Sequence, residues 1–262
     1  MKNIFLIIFI SIYCTGQDIA KDADTTNERI VSSSVILKSA GAIATTALLI
    51  HYDQKIYENA HELKVRNKFL SDINSVVVYL GDGKVSLGIF GGFIGYGLIF
   101  ENKKAVEVGK IGCESFLFVG TVSQLIKLCT GRERPKVATR PGGFWYGPLG
   151  FFRQPAGAGK GLDYFTSFPS NHVSTAFSTA TVISDFYSDK WIAYTCYSLA
   201  TLVAISRVTE GYHWLSDCFA GAIIGYLGVR VIEKINYGTT DISIRPWSHL
   251  DQQGISICLK IN

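Results

Sequence analysis

Dense charge, a cysteine framework and long uninterrupted hydrophobic runs are all missing from this sequence of 262 residues. Charged residues make up 18% of it and hydrophobic residues 48%, whereas ordinary soluble domains carry roughly 25% charge. That balance excludes a disordered chain or an acidic activator, which needs high charge and few aromatics. Glycine, at 26, follows no three-residue period, proline numbers only 6, and no heptad recurs. Collagen and coiled-coil classes are therefore excluded. The net charge of +4 is too mild to indicate a nucleic-acid partner. Apart from Cys14, the thiols are Cys113, Cys129, Cys196, Cys218 and Cys258, an odd set without a CxxC pair. No disulfide scaffold or zinc site is expected, and no HExxH or similar ligand spacing suggests another metal.

What is present begins with an export signature. Met1, Lys2 and Asn3 precede an apolar run over 4–13 and the small residues Cys14, Thr15 and Gly16. A positive end, a short apolar stretch and a small-residue exit predict a signal peptide over 1–16. The run is too short to span a bilayer; the bland alternative is an apolar N-terminus without that role. Residues 17–33 are polar and read as a leader, followed by a helical domain over 34–236 and a tail over 237–262.

The domain reads as about six apolar helices, near 35–51, 84–100, 111–129, 172–186, 190–207 and 215–234, an all-α bundle. Their stretches free of charge and histidine are 39–50, 85–100, 115–126, 173–184, 191–206 and 218–229. All are shorter than the 18 or more residues expected of a membrane span, which favours a buried bundle. The spacings Gly88/Gly92, Gly91/Gly95 and Gly221/Gly225 point the other way, toward close helix packing in lipid, although ordinary close packing explains them equally. If the signal is cleaved and every later helix crosses, three crossings precede residue 130 and put it on the cytoplasmic side. Membrane-embedded and soluble exported forms both stay open, with membrane association favoured. In the tail, Ile255, Ile257, Leu259 and Ile261 alternate with polar residues, a period-two pattern that predicts a short β-hairpin.

One long irregular stretch separates the third and fourth helices. It holds Pro135, Pro141, Pro148 and Pro155, four of the six prolines. Within 127–160, Lys127, Arg132, Arg134, Lys136, Arg140, Arg153 and Lys160 face the single acid Glu133, a net +6 that exceeds the whole chain's. A charge run is often a solvated face, but a loop this long is more often functional, and its sign suits an anion. Trp145, Tyr146, Phe151 and Phe152 either bind acyl chains or pin this loop. His51, His61 and His249 carry no assigned role.

Three segments carry chemistry: Lys127 to Pro135 at one helix end, Phe168 to His172 at the start of the next helix, and Ser206 to Asp217 between the last two. Alternating helix directions bring all three to one side of the bundle. Lys127, Arg134 and Arg207 can neutralise a phosphate and the charge gathering on it during transfer. Ser170 and Asn171 lie where the chain enters a helix, so free N–H groups and the helix dipole add to an anion site. His213 and Asp217 are four apart, on one face if a helix begins near Tyr212. The carboxylate can then take the Nδ1 proton and leave Nε2 as a nucleophile, with His172 as proton donor. Singly, each residue has an ordinary structural explanation; the joint pattern is far more specific.

These segments resemble the signature of the type 2 phosphatidic-acid phosphatase and vanadium haloperoxidase superfamily, K-x6-R-P, P-S-G-H and S-R-x5-H-x3-D. They read here as Lys127…Arg134-Pro135, Pro169-Ser170-Asn171-His172 and Ser206-Arg207…His213…Asp217, with Asn171 replacing the family glycine. The resemblance implies that His213 attacks phosphorus and forms a phosphohistidine, that Asp217 orients it, and that His172 protonates the leaving group and then activates water. Lys127, Arg134, Ser170, Arg207 and the Asn171 amide would hold the phosphate, without metal or cofactor; vanadate enters only as a phosphate mimic. The implied protein is a phosphatase of phosphomonoesters or diphosphates, lipid-linked, exported and facing the periplasm at the inner membrane. A soluble, broad-specificity exported acid phosphatase is the first alternative. A vanadate-dependent haloperoxidase with His213 as ligand is the second, for which the chain lacks room. A transport protein would carry ionisable groups inside its apolar runs, whereas here they gather at helix ends. The expected partners are a phosphorylated lipid or other organic phosphate and a membrane, with no nucleic acid and no protein partner inferred.

Overall fold

The computed structural model describes residues 33–148, 150, 165–237, 241–249 and 252–260. The signal at 1–16, the leader up to residue 32, and Arg153, Pro155, Lys160, Phe151 and Phe152 lie outside the described residues. The described chain is a helical bundle: α1 (Ser33–Arg66), α2 (Lys68–Val77), α3 (Gly83–Ile99), α4 (Lys103–Thr130), α5 (Asn171–Phe186), α6 (Lys190–Thr209) and α7 (Leu215–Tyr237). The tail backbone pairs as β1 (Asp241–His249) and β2 (Gln252–Lys260), antiparallel, with Asp241 opposite Lys260.

Polar caps set the helix boundaries by satisfying first-turn N–H groups. The side chain of Asn67 accepts from Leu70 N at 3.3 Å, Asp82 from Lys84 N at 2.9 Å and Asn102 from Ala105 N at 3.0 Å. Gly131 closes α4 with φ 57°, a left-handed position that glycine adopts at little cost. The first helix differs from the sequence expectation, running on from residue 51 to Arg66 through a charged segment. Leu49, Asp53, Ile56 and Ala60 recur at helical spacing and turn inward, so one face stays buried while Lys55, Glu58, Glu62 and Arg66 point out.

Helix α5 forms the centre. Its residues from Val173 to Val182 are all buried, which the small side chains of Ser174, Thr175, Ser178 and Thr179 permit. Helix α7 crosses it closely: a Cβ on Gly221 would lie 2.6 Å from Ser170 O, and Gly225 is held against Ser174 in the same way. Gly88, Gly91, Gly92 and Gly95 meet nothing within 4 Å. The two readings of the glycine spacings therefore divide: the α7 pair packs helices, whereas the α3 set packs nothing among the described residues.

The outer surface is apolar. Leu87, Leu98 and Ile99 on α3, Leu117 and Leu125 on α4, Trp191 and Leu202 on α6, and Val231 and Ile235 on α7 are exposed, large apolar side chains on four helices that suit lipid rather than water. Helices α4, α6 and α7 are long and apolar enough to cross a membrane. The segment Lys68–Gly81 with α3, bent by 56°, is a fourth candidate as one broken span. Counting charge-free runs understated these spans, because a span accommodates one or two ionisable groups that turn into the bundle. The chain fits a membrane protein.

The close crossing of α5 and α7 yields a contrast. Gly221→Ala should destabilise the protein by about 1–3 kcal/mol through overpacking. Gly91→Ala should leave it unchanged or raise stability by up to about 1 kcal/mol through helix propensity. Thermal melts in detergent distinguish the two, and equal effects would contradict the packing described.

Candidate active site

The ends of α4 and α6 and the starts of α5 and α7 meet on one side, as alternating directions require. Lys127, in the last turn of α4, is buried and donates from Nζ to Thr166 O. Three residues beyond Gly131, Arg134 opens the short turn Pro135–Val137. Between them Arg132 and Glu133 are fully buried. Glu133 accepts from Thr139 N at 2.8 Å, Phe144 N at 3.0 Å and Tyr146 OH at 3.1 Å. The lone acid of the basic loop thus organises the loop rather than balancing its charge. Trp145 stacks on the Arg132 guanidinium at 4.6 Å and Tyr146 is tied to Glu133, so both aromatics pin the loop.

Asp217 lies in the first turn of α7, where an acid is favoured by the dipole. It accepts from Trp214 N at 2.8 Å and from Ser167 Oγ through Oδ2, and from Arg132 Nη1 at 2.6 Å through Oδ1. The contact to Trp214 N is the reaching-back half of a capping box. His213 stands just before the helix. Its Nδ1 lies 2.8 Å from Ser167 O and 3.7 Å from Asp217 Oδ2. This revises the expected geometry: α7 starts at Leu215, so His213 and Asp217 do not share a helical face, and the main-chain carbonyl of Ser167 accepts the Nδ1 hydrogen bond. A carbonyl only accepts, so Nδ1 carries the hydrogen and Nε2 the lone pair of the neutral ring. Asp217 therefore meets the histidine in two ways, through its charge 3.7 Å from Nδ1 and through the Ser167 hydroxyl that it holds.

Ser170 is the N-cap of α5, and its N–H donates to Asp217 O at 3.0 Å. The Ser170 hydroxyl is buried with only the Cys218 thiol beside it. Asn171 is the first helical residue, so its N–H is among those a helix leaves unpaired, and no left-handed backbone is needed there. Its side chain turns to Gln124 Oε1 at 3.4 Å. Arg207, in the last turn of α6, has Nε buried with no hydrogen-bond partner among the described residues. Orphaned donors beside cationic side chains fit a bound anion.

Burial pushes His172 down to about 4, helped by the charges of Arg207, Arg134 and Lys127 and opposed by Asp82. Burial likewise pushes His213 down to about 3, with Lys127 and Arg134 adding and Asp217 opposing. The same cations act on both imidazoles, so Lys127, Arg134, His172 and His213 share one electrostatic environment. Together with Ser170, Asn171, Arg207 and Asp217, they form one cluster at the bundle end.

Four members of the support carry no supporting role in the sequence pattern: Asp53 and Ser167 stand outside every motif, and Arg132 and Glu133 count there only as loop charges. Arg132 had been counted among charges available to an anion, yet Asp53 and Asp217 hold it inside. Asp53 had one visible signal, an acid on the inward stripe of Leu49, Ile56 and Ala60. His61, given no role, places Nδ1 3.3 Å from Thr209 O.

Comparison with known proteins gives a consistent family. The model of the PAP2 superfamily matches residues 111–239. A lipid A 1-phosphatase from Porphyromonas gingivalis is 33% identical over 81 residues, 30% of this chain and 17% of that protein. Lipid phosphate phosphatase 1 from Arabidopsis thaliana is 35% identical over 127 residues, 42% of this chain and 39% of that protein. The chain therefore spans less than two thirds of either curated relative. Among solved structures, a transmembrane PAP2-type phosphatidylglycerolphosphate phosphatase from Bacillus subtilis aligns with TM-score 0.50 and 19% identity, over 88% of this chain and 96% of that one. Aquifex aeolicus LpxE aligns with TM-score 0.46 and 20% identity, over 70% and 94%. The Bacillus protein shares the fold.

Two depressed histidines make stability depend on pH. Below the ordinary histidine value of 6.5, the unfolded chain takes up protons that the folded chain refuses until about 4 at His172 and about 3 at His213. Stability is therefore fully present above 6.5 and falls with pH below it, by about 1.4 kcal/mol per histidine per pH unit. Melting temperatures in detergent should drop between pH 7 and pH 5, and less steeply in His172→Gln. An equal slope in the variant would remove His172 from the effect.

Proposed function

The chain belongs to the PAP2 superfamily through residues 111–239, and on that premise we propose that it is a metal-independent phosphatase of lipid-linked phosphomonoesters or diphosphates. The observation that carries the reading is the Nδ1 contact of His213 to Ser167 O, 2.8 Å, which leaves Nε2 with a lone pair beside a cluster of cations. The two curated relatives act, by their names, on lipid A and lipid phosphate. The apolar outer surface supports a substrate held in a membrane over a water-soluble ester. The site faces the periplasm in this reading, following the export signal expected at 1–16.

In the first step His213 Nε2 bonds to phosphorus while the bond from phosphorus to the leaving oxygen breaks. That oxygen takes a proton from His172. In the second, His172 accepts a proton from water, the water oxygen bonds to phosphorus, and the phosphorus–nitrogen bond breaks to release phosphate. Lys127, Arg134 and Arg207 stabilise the charge spread over the equatorial oxygens, the task that divalent ions perform in many phosphoryl-transfer sites. The Ser170 hydroxyl and the Asn171 amide complete the cradle.

The depression of His172 to about 4 is compatible with its role as acid because the substrate alters its surroundings. Burial is the main cause of that depression and the cations the second. A phosphate dianion offsets both by neutralising the cations and pairing with the imidazolium, so the proton arrives with the substrate. Two expectations follow. Binding of vanadate near pH 6 should take up a proton from buffer, and the falling limb of kcat should lie at higher pH than that of kcat/KM. Identical limbs would contradict the substrate-linked protonation.

His213→Ala should abolish phosphate release, with a loss on the order of 10³-fold or more, while vanadate still binds; retained turnover removes the nucleophile assignment. EDTA should leave the rate unchanged, and inhibition reversed by a divalent ion would overturn metal independence. A panel pairing each lipid phosphate with a water-soluble counterpart checks the substrate class, and halide oxidation on adding vanadate and peroxide would favour the haloperoxidase instead.

A further inference from the structure

Asp53 lies outside residues 111–239 and outside the three motif segments, yet it is fully buried against the support of the site. Its Oδ2 accepts from Arg132 Nη2 at 2.7 Å and from Ser216 Oγ, and its Oδ1 accepts from Ser216 N at 3.0 Å. Arg132 directs its remaining N–H groups to Ser216 Oγ at 2.7 Å and Asp217 Oδ1 at 2.6 Å from Nη1, and to Gly142 O at 2.7 Å from Nη2 and 3.3 Å from Nε. All five guanidinium N–H groups thereby have acceptors.

We propose that Asp53 is a positioning residue for His213, acting through Arg132, Asp217 and Ser167; this rests on the phosphatase reading above. The chain of contacts has no slack. Asp53 fixes one side of the guanidinium, the other side holds Asp217 Oδ1, and Asp217 Oδ2 holds the Ser167 hydroxyl. Ser167 O in turn receives the His213 Nδ1 hydrogen. A carboxylate is required at position 53 because both of its oxygens face donors. An asparagine in either orientation sets its NH₂ against a donor, Arg132 on one side or the Ser216 N–H on the other. The guanidinium or the first turn of α7 must then move, and a displacement of about 1 Å at a reacting group costs on the order of 100-fold in rate.

Other contacts keep α1 in place when Asp53 changes. Tyr57 packs edge-on to Trp214 at 5.8 Å, Lys64 pairs with Glu210 at 2.7 Å, and Asn74 of α2 reaches Thr209 Oγ1 at 2.8 Å. These hold α1 and α2 to the end of α6 without using Asp53.

The test compares Asp53→Asn, Arg132→Gln and the double variant in detergent, counting sites by vanadate binding. The expected result is a fall in kcat per vanadate site of about 10- to 100-fold with KM within about twofold. In the Arg132→Gln background the second substitution should add little, because both act through one path. Unchanged kcat per site, or additive losses, overturns the proposal. So does a loss of activity that only tracks the loss of vanadate sites. If Asp53→Asn does not fold, Arg132→Lys carries the test. It keeps the charge but has three donors and no planar fork, so it cannot meet Asp53, Asp217, Ser216 and Gly142 together, and full kcat per site in that variant is equally fatal. A crystal structure of Asp53→Asn reads the geometry without turnover. Loss of the Nδ1 to Ser167 O contact supports positioning, and its retention refutes it. Should the wild-type protein release no phosphate from any ester, the phosphatase reading falls, while that structure still decides what Asp53 positions.

Discussion

A guanidinium with no exposure to solvent, gripped by carboxylates from two distant helices, is the interaction on which the site's arrangement depends. Arg132 joins Asp53 of α1 to Asp217 of α7. Through Ser216 and Gly142 it also ties in the helix start and the loop. Burying three charges is costly, and the pairs offset that cost only while every hydrogen bond is made. Removing one member of such a group costs about 3–5 kcal/mol, so the cluster specifies one arrangement rather than adding generic stability.

Beside this saturated network stands its opposite. Arg207 Nε has no partner among the described residues, and the first turn of α5 leaves its N–H groups unpaired. Positive charge from Lys127 and Arg134 bears on both imidazoles, and that of Arg207 on His172, where burial already keeps the rings neutral. One half of the bundle end is internally satisfied and holds the ring of His213 at Nδ1. The other half gathers cationic side chains beside the buried Arg207 Nε and the start of α5, a setting that suits an anion. Function rests on that asymmetry, because a cradle satisfied by its own residues has nothing left to offer a ligand.

Much of the fold was legible because it depends on local pattern. Apolar runs of helical length gave the core helices, and alternating directions gathered three separated segments at one end. The glycine spacing of α7 carried real packing, whereas the similar spacing of α3 did not, since spacing alone does not reveal which neighbour lies opposite. Charged residues in 51–66 hid the continuation of α1, because the inward stripe there contains an acid. Asp53 meets Arg132 across 79 positions and Ser216 across 163, separations at which no periodicity connects two residues. Ser167 was hidden for another reason: its contribution to His213 is a main-chain carbonyl, which any residue type supplies.

The position of Asp53 on α1 bears on what counts as one module in this protein. The segment matched by the family begins at residue 111, yet one of the two carboxylates that hold its buried Arg132 comes from a helix nearly sixty positions earlier. A graft of 111–239 alone would carry Arg132 without half of its counter-charge. The smallest transplantable unit therefore reaches back past residue 53, so the boundary of the family match and the boundary of the packed unit do not coincide.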